Sequence, residues 1–363
     1  MSPNLQLQKD LLSPPGDTIQ ETIDALGMSQ AELAERIGRP KEKLNDIIKG
    51  RDPITLKTAM MLERVLGIPA DFWIEREREY RLELAKIEQQ EFLESCIGWL
   101  EQFPIRELKK MGYLPDTREK TELADSLLKL HGVASPAEWE AIYLKDSVSA
   151  AFKISLASTQ SPHAISTWLR IGEHKSFQQK LPDFDKIAFR KALTEVKELL
   201  NTQSADFKEQ LQGICARCGV AVLYTPCLPK APISGATWWK GRNPIIQLSG
   251  RYKTNDSFWF AFYHEAGHIL QHGKKEVFLE NLEGSPIDQE KEDEANQFAQ
   301  KYLFPKEAFD GLVEIFDISS EDILIYARRY KTHPAIIVGQ LQHAGVIGYQ
   351  QFNHFKISID LVN

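Results

Sequence analysis

The sequence predicts a mainly α-helical protein with one small β-sheet, an α+β fold. Two observations carry this prediction: most of the chain is a succession of amphipathic segments bounded by glycine or proline, and strand-like apolar runs begin after Gly219. At 363 residues the chain exceeds one average domain. We expect a helical bundle over residues 1–86, a helical connector over 87–206 and a third domain over 207–363.

Composition restricts the classes of protein that the chain can belong to. A hydrophobic fraction of 42% and a charged fraction of 26% are ordinary for a globular protein. The net charge of -7 excludes a broad positive field, so contact with nucleic acid requires a local basic patch. The first residues lack the basic and apolar regions of a signal peptide, and no apolar run reaches membrane-spanning length. We therefore expect a cytoplasmic protein with no membrane partner.

Four cysteines are too few for a disulfide framework in a chain of this size. Cys215 and Cys218 form a CxxC, but a zinc ribbon needs a second pair. A redox motif would start a helix after a strand, whereas this one lies where a helix leads into a strand. Buried structural cysteines are therefore the favoured interpretation.

The N-terminal region has the punctuation of short consecutive helices. A fifth helical segment follows Pro69, and Ser29 with Glu32 has the spacing of a capping box. Four earlier segments open at Thr18, Ser29, Pro40 and Thr55 and end at Gly27, Gly38, Gly50 and Gly67.

A local basic patch lies within this bundle. The stretch from Arg36 to Lys57 holds seven basic and three acidic residues, a balance of +4. The segment after Arg39 places Leu44, Ile47 and Ile48 on one helical face and Lys41, Asn45 and Lys49 on another. A DNA-reading helix has this form, and so does an ordinary solvated hairpin.

The stretch from Pro15 to Tyr80, and above all MSQAELAERIGRPKEKLNDIIKGRDPITLKTAMMLERVLGIPADFW, resembles the helix-turn-helix of the HigA antitoxin group of phage-repressor-like regulators. The resemblance implies a transcriptional regulator or antitoxin that binds operator DNA, and we expect it to do so as a homodimer on a pseudo-palindrome. The DNA-facing residues that it implies are Gln30, Arg39, Lys41, Lys43, Asn45 and Lys49.

Three strand-like runs, GVAVLYTP, ISGATWW and PIIQLSGR, predict the small sheet, with KGRN as the turn between the last two. Helices are predicted from about Asp256 to Gln271, over a segment ending at Pro305, and around Pro334–His343.

The first of these helices contains HExxH: His264, Glu265 and His268. Histidines four residues apart share a helical face, so their ring nitrogens can meet one ion while Glu265 faces a bound water. Two satisfied core histidines are the alternative, but unpartnered imidazoles are costly on the apolar helix FWFAFYHEAGHIL. The pattern therefore favours a metal site.

Zinc in a catalytic site takes a third protein ligand. His272 is a poor candidate, because histidines at i, i+4 and i+8 rise about 12 Å along the axis. At about 100° per residue, Glu292 lies about 50° from the centre of the next helix's apolar face and Glu294 about 110°. We predict Glu292 as the ligand and Glu294 as the fallback. Asn296 shares the face of Glu292 and can hydrogen-bond a ligand histidine. An ordinary i,i+4 surface pair of Glu292 and Asn296 is the alternative.

This half of the chain resembles the ImmA/IrrE metallopeptidase family. The resemblance rests on IIQLSGRYKTNDSFWFAFYHEAGHILQHG, KEDEANQFAQKYLFP and HPAIIVGQLQHAGVI, and covers roughly Phe207 to Lys356. It implies a zincin-like domain with zinc on His264, His268 and Glu292, with Glu265 as the base, and a protein substrate of the repressor type. AISTWLRIGE in the middle segment resembles the connector of such fusions.

Two functions remain open from the sequence. In one, a DNA-binding regulator or antitoxin carries a zinc peptidase that hydrolyses a regulator or toxin. In the other, the metal domain only senses or docks a partner such as a cognate toxin. For the peptidase we expect the substrate on an edge strand, with IIQLS as the candidate, while His333, Tyr263 and His343 are possible oxyanion partners or packing residues.

Overall fold

The computed structural model describes residues 3–145, 161–272, 278–279 and 289–361. The chain divides into two compact units, the first formed by residues 1–100 and 116–126 and the second by 101–115 and 127–363. Most of the described residues are helical, and the described residues also form one four-stranded sheet. The predicted fold class, mainly α with a small sheet, is confirmed. None of the described helices combines the length and the apolar composition of a membrane span.

The first unit is a bundle of helices around one apolar core. Trp73 is fully buried at its centre and donates a hydrogen bond from Nε1 to the carbonyl of Ile68 (3.2 Å). The helices are α1 (Pro3–Asp10), α2 (Pro15–Ala25), α3 (Gln30–Arg36), α4 (Lys41–Ile48), α5 (Leu56–Leu66), α6 (Ala70–Ser95) and α7 (Ile97–Leu100).

Side-chain caps fix the starts of α3 and α5. Ser29 accepts a hydrogen bond from the backbone N–H of Glu32 (3.2 Å), and Thr55 caps α5 in the same way. Of the capping box predicted at Ser29, only the contact from the Glu32 backbone N–H to the Ser29 side chain forms. The Glu32 carboxylate pairs with Arg36 instead (2.6 Å). The predicted opening of α2 at Thr18 is wrong by three residues, because Pro15 suits the first helical position and starts the helix earlier.

The second unit contains the remaining helices. One of them, α9, is shared between the units, because its residues up to Ser126 belong to the first unit. The helices are α8 (Ile105–Lys110), α9 (Lys120–His131), α10 (Pro136–Tyr143), α11 (Pro162–Ser176), α12 (Lys186–Thr202), α13 (Phe207–Ala216), α14 (Asn255–Gln271), α15 (Gln289–Leu303), α16 (Lys306–Val313), α17 (Ser320–Tyr330) and α18 (Pro334–His343).

The sheet of the second unit has the order β1-β3-β2-β4. Its strands are β1 (Ala221–Tyr224), β2 (Gly235–Lys240), β3 (Asn243–Leu248) and β4 (Phe278–Leu279). β3 pairs parallel with β1 and antiparallel with β2, and β4 pairs with β2. The expectation that IIQLS forms an edge strand is therefore wrong. Consecutive residues of β3 are buried, so both faces of the strand are covered, which is the pattern of a central strand.

Helices cover both faces of this sheet. Thr237 of β2 donates from Oγ1 to the carbonyl of Glu265 in α14 (3.1 Å). Gln247 of β3 lies opposite Ala236, hence on the other face, and donates from Nε2 to the carbonyl of Trp168 in α11 (2.8 Å). The indole of Trp168 in turn donates to the carbonyl of Thr225 just after β1 (3.0 Å). The helix that carries AISTWLRIGE is thus built into the same unit as the HExxH helix.

The CxxC belongs to the core of this unit. Cys215 and Cys218 are both buried among apolar side chains, which confirms the prediction of structural cysteines. Burial raises the pKa of both thiols above the ordinary value. Both side chains are therefore protonated and act as small apolar groups near neutral pH.

The first turn of α14 holds a buried ion pair. Asp256 Oδ2 lies 2.7 Å from Lys356 Nζ, and the two side chains are only 9% and 17% exposed. Lys356 also donates to Gln342 Oε1 (2.8 Å). The segment after α18 is thereby tied to the start of the HExxH helix.

We expect Lys356→Met to destabilise the second unit by about 3–5 kcal/mol, because it leaves the Asp256 carboxylate buried without its cation. The matched control is Lys306→Met, which breaks an exposed pair with Asp310 and should cost about 0–1 kcal/mol. Urea unfolding of both variants measures the difference. Equal losses in the two variants would contradict the role assigned to the buried pair.

Candidate functional site

The HExxH helix is buried along most of its length. His264 and His268 lie one turn apart on α14 and are each 1% exposed. Their Nε2 atoms lie 3.0 Å from each other. The spacing of the motif therefore produces the paired imidazoles that the sequence predicts.

α15 brings the third donor. At Gly267 a methyl group would lie 3.2 Å from Cα of Ala295, so the glycine allows α14 and α15 to approach closely. This contact places Glu292 Oε2 3.1 Å from His264 Nε2 and Glu292 Oε1 3.5 Å from His268 Nε2. The structure thus brings together the three residues predicted as ligands.

The donor chemistry of this cluster fits a cation. Asn296 Oδ1 lies 3.0 Å from His264 Nδ1, the contact predicted for Asn296. An amide oxygen only accepts, so the His264 proton lies on Nδ1 and its Nε2 lone pair faces His268 and Glu292. The lone pairs of ligand atoms that face each other repel unless a proton or a cation lies between them. Zinc–nitrogen bonds of about 2.0–2.1 Å in a tetrahedral site place two nitrogens about 3.3 Å apart, close to the separation observed here.

The electrostatics of the cluster keep His268 in the form that binds metal. Burial, followed by the proximity of His264 and His272, lowers the pKa of His268 to about 2. The imidazole is therefore neutral near pH 7. A neutral imidazole is the ligand form in protein metal sites.

Glu265 is fully buried between α14 and β2. A methyl group at Gly235, the first residue of β2, would lie 2.6 Å from Glu265 Oε1, so the carboxylate uses the space that the missing side chain leaves. Thr237 holds the backbone carbonyl of Glu265 from the same strand. Neither Gly235 nor Thr237 gives a local signal in the sequence, because the contact joins segments 28 residues apart.

The two residues set aside as weaker ligand candidates lie outside the cluster. His272 Nδ1 lies 2.9 Å from His268 Nδ1, on the side of the ring opposite Nε2. Glu294 Oε2 lies 3.0 Å from His272 Nε2, and the Glu294 side chain is 51% exposed against 14% for Glu292. The helix-phase estimate thus placed the two carboxylates correctly relative to the apolar face.

The three possible oxyanion partners have structural contacts. Tyr263 donates from its hydroxyl to the carbonyl of Leu193 (2.9 Å) within the core. His333 caps α18 and accepts from the backbone N–H of Ala335 (3.2 Å). His343 is exposed at the last position of α18. These contacts fit the packing and capping alternative.

The six residues implied as DNA-facing lie in the segment from the first residue of α3 to Lys49, which directly follows α4. Lys41 and Lys49 are exposed at the two ends of α4, and Asn45 is half-buried between them. Lys43 is exposed and pairs with Asp52 (3.1 Å). Two of the six are tied to the bundle: Gln30 donates to Gln20 Oε1 (2.6 Å), and Arg39 donates to Thr58 Oγ1 (2.6 Å).

Two family models match the chain. Residues 19–73 match the helix-turn-helix model, and residues 215–338 match the model for the Peptidase_M78 family, described as the IrrE N-terminal-like domain. No curated protein matches the chain. The first unit therefore carries a helix-turn-helix domain of the kind found in DNA-binding regulators, and the second carries a metallopeptidase-like domain that includes the His-His-Glu cluster.

We expect each of His264→Ala, His268→Ala and Glu292→Ala to reduce bound zinc from about one ion per chain to a trace, because a site with two protein ligands binds zinc weakly. The matched control is Glu290→Ala, which removes an exposed carboxylate from the same helix turn. Metal analysis after dialysis against dilute zinc measures the content. Zinc retained in Glu292→Ala and lost in Glu290→Ala would contradict the assigned ligand set.

Proposed function

We propose that the chain is a DNA-binding transcriptional regulator or antitoxin whose second unit is a zinc-dependent metallopeptidase that hydrolyses a regulator or toxin protein. The observation that carries the proposal is the convergence of His264, His268 and Glu292, with the fully buried Glu265 next to His264 on the same helix. This is the donor set of a catalytic zinc site, which keeps one position open.

The residues of the site would divide the chemistry among them. Bound zinc would polarise the scissile carbonyl and make water acidic enough to give up a proton near pH 7. Glu265 would accept that proton as the general base and pass it to the departing amine nitrogen. Gly235 and Thr237 hold Glu265 in place from β2, so the base needs little reorganisation during the reaction.

The sheet offers a place for an extended substrate. β4 pairs with β2 at Ala236 and Thr237, next to the glycine that faces Glu265. Among the described residues no strand pairs with the outer side of β4, and we propose that the substrate adds there as a further strand, instead of on β3 as the sequence predicted. Backbone hydrogen bonds would supply affinity for many peptide sequences, so specificity would come from side-chain pockets.

The first unit would direct this activity to an operator. Lys41 and Lys49 project from α4 into solvent, and their charges are suited to phosphate contacts that fix the position of the helix on the duplex. We propose that a homodimer reads two half-sites, with Asn45 facing the bases. Arg39 and Gln30 would support this surface through their hydrogen bonds to Thr58 and Gln20.

We expect Glu265→Gln to lower the rate of cleavage of a co-encoded regulator or toxin by about 10²–10⁴-fold, because the amide keeps the size of the side chain but cannot take a proton. Zinc content should be unchanged. Gel analysis of the regulator, incubated with parent and variant, measures cleavage.

The same preparations test the alternative. If the zinc-loaded parent cleaves none of its co-encoded proteins while zinc removal releases operator DNA, the second unit is a metal sensor and the peptidase proposal is wrong.

We expect Lys41→Ala/Lys49→Ala to weaken binding to its own promoter DNA and to unrelated DNA alike. Because each lysine is proposed to neutralise a phosphate, the slope of log affinity against log salt should become shallower by about 2 per bound chain. Fluorescence anisotropy across a salt series measures this. Lys301→Ala/Lys306→Ala, two exposed lysines of the second unit, is the charge-matched control. Unchanged affinity of the first double variant would remove α4 from the interface.

A further inference from the structure

A line of hydrogen-bonding groups leads from the cluster of His264, His268 and Glu292 towards the protein surface. It starts at His268, whose Nε2 faces His264 and Glu292. On the other side of the ring, His268 Nδ1 lies 2.9 Å from His272 Nδ1. The line ends at Glu294, whose Oε2 lies 3.0 Å from His272 Nε2. The side chain of His272 is 4% exposed and that of Glu294 is 51% exposed. The line thus joins a buried ligand to a solvated carboxylate.

The proton positions along this line follow from the groups at its end. A carboxylate only accepts hydrogen bonds, so a neutral His272 that contacts Glu294 carries its proton on Nε2. Its Nδ1 then presents a lone pair to His268. His268 satisfies that lone pair by carrying its own proton on Nδ1, which leaves Nε2 with a lone pair aimed at the cluster.

The opposite proton order is unfavourable at both ends. If His272 carried its proton on Nδ1, its Nε2 lone pair would face the Glu294 carboxylate at 3.0 Å. His268 would then carry its proton on Nε2, where it would block the nitrogen that has to bind the metal. Glu294 therefore selects between two proton arrangements that differ in whether His268 can act as a ligand.

We propose that His272 and Glu294 are positioning residues that hold His268 in its metal-binding tautomer. The proposal rests on the proposed function, because it takes His268 as a zinc ligand. Neither residue belongs to the group of His264, His268 and Glu292 whose donor atoms converge. On the other ligand, Asn296 performs the same task in one step by accepting from His264 Nδ1. Both histidines would then be oriented from outside, which generally strengthens metal binding by about 10–100-fold.

The test is the zinc affinity of the full chain, measured by competition with a chromophoric chelator at constant pH. We expect His272→Phe and Glu294→Ala each to weaken zinc binding by about 10–100-fold. Glu290→Ala removes an equal charge from an exposed position on the same helix and should change the affinity by less than about twofold. His272→Gln should restore most of the affinity, because its amide oxygen can accept from His268 Nδ1.

A second readout reports on the ligand itself. The visible absorption spectrum of the cobalt-substituted protein depends on the geometry of the bound nitrogens, so it should change in His272→Phe and recover in His272→Gln. Glu294→Ala alters an exposed side chain, so it tests the proposal even if His272→Phe fails to fold.

The outcomes separate this proposal from the proposed function. Zinc affinities of Glu294→Ala and of folded His272→Phe within about twofold of the parent would overturn the positioning role while leaving the metal site intact. Equal weakening by Glu294→Ala and Glu290→Ala would also overturn it, because charge alone would then explain the effect. A parent protein that binds no zinc would overturn both proposals.

Discussion

At Gly267 the backbone of α14 comes so close to α15 that a methyl group there would lie 3.2 Å from Cα of Ala295. The third donor of the His264, His268 and Glu292 cluster depends on this approach. α14 alone can present only the two imidazoles, and the carboxylate of Glu292 reaches them because α15 packs without an intervening side chain. The same helix carries Asn296, which contacts His264 Nδ1, and Glu294, which contacts His272 Nε2.

The rest of the second unit holds α14 in a fixed position relative to the sheet. Thr237 attaches its middle to β2, and the ion pair between Asp256 and Lys356 attaches its first turn to the segment after α18. α11 covers the opposite face of the sheet through Trp168 and Gln247. These contacts fix the position of α14, which carries the buried imidazoles and Glu265, relative to the sheet.

Local periodicity accounts for what could be predicted from the sequence. The i, i+4 spacing of His264 and His268 and the phase of Glu292 on its helix depend on neighbours within two turns, and a helix reproduces both. The strand segments and the turn at Lys240–Asn243 were also predictable, because alternation and glycine mark them locally.

Contacts between distant segments could not be predicted in the same way. The central position of β3 depends on which strands pair, and the described part of β4 offers only two residues of pattern. The place of Glu265 depends on a glycine in another strand, and the contact of His272 depends on Glu294 in another helix. In the first unit, the sequence could not reveal the hydrogen bonds of Arg39 to Thr58 and of Gln30 to Gln20.

In the proposed function, His264, His268 and Glu292 hold a single zinc ion and Glu265 is the base. An anomalous difference map collected at the zinc absorption edge, from crystals of the full chain grown with zinc, tests it most directly. We expect one peak about 2.0–2.2 Å from Nε2 of both histidines and from a carboxylate oxygen of Glu292. A peak between His272 and Glu294, or no peak at α14 in crystals that contain zinc elsewhere, would contradict it.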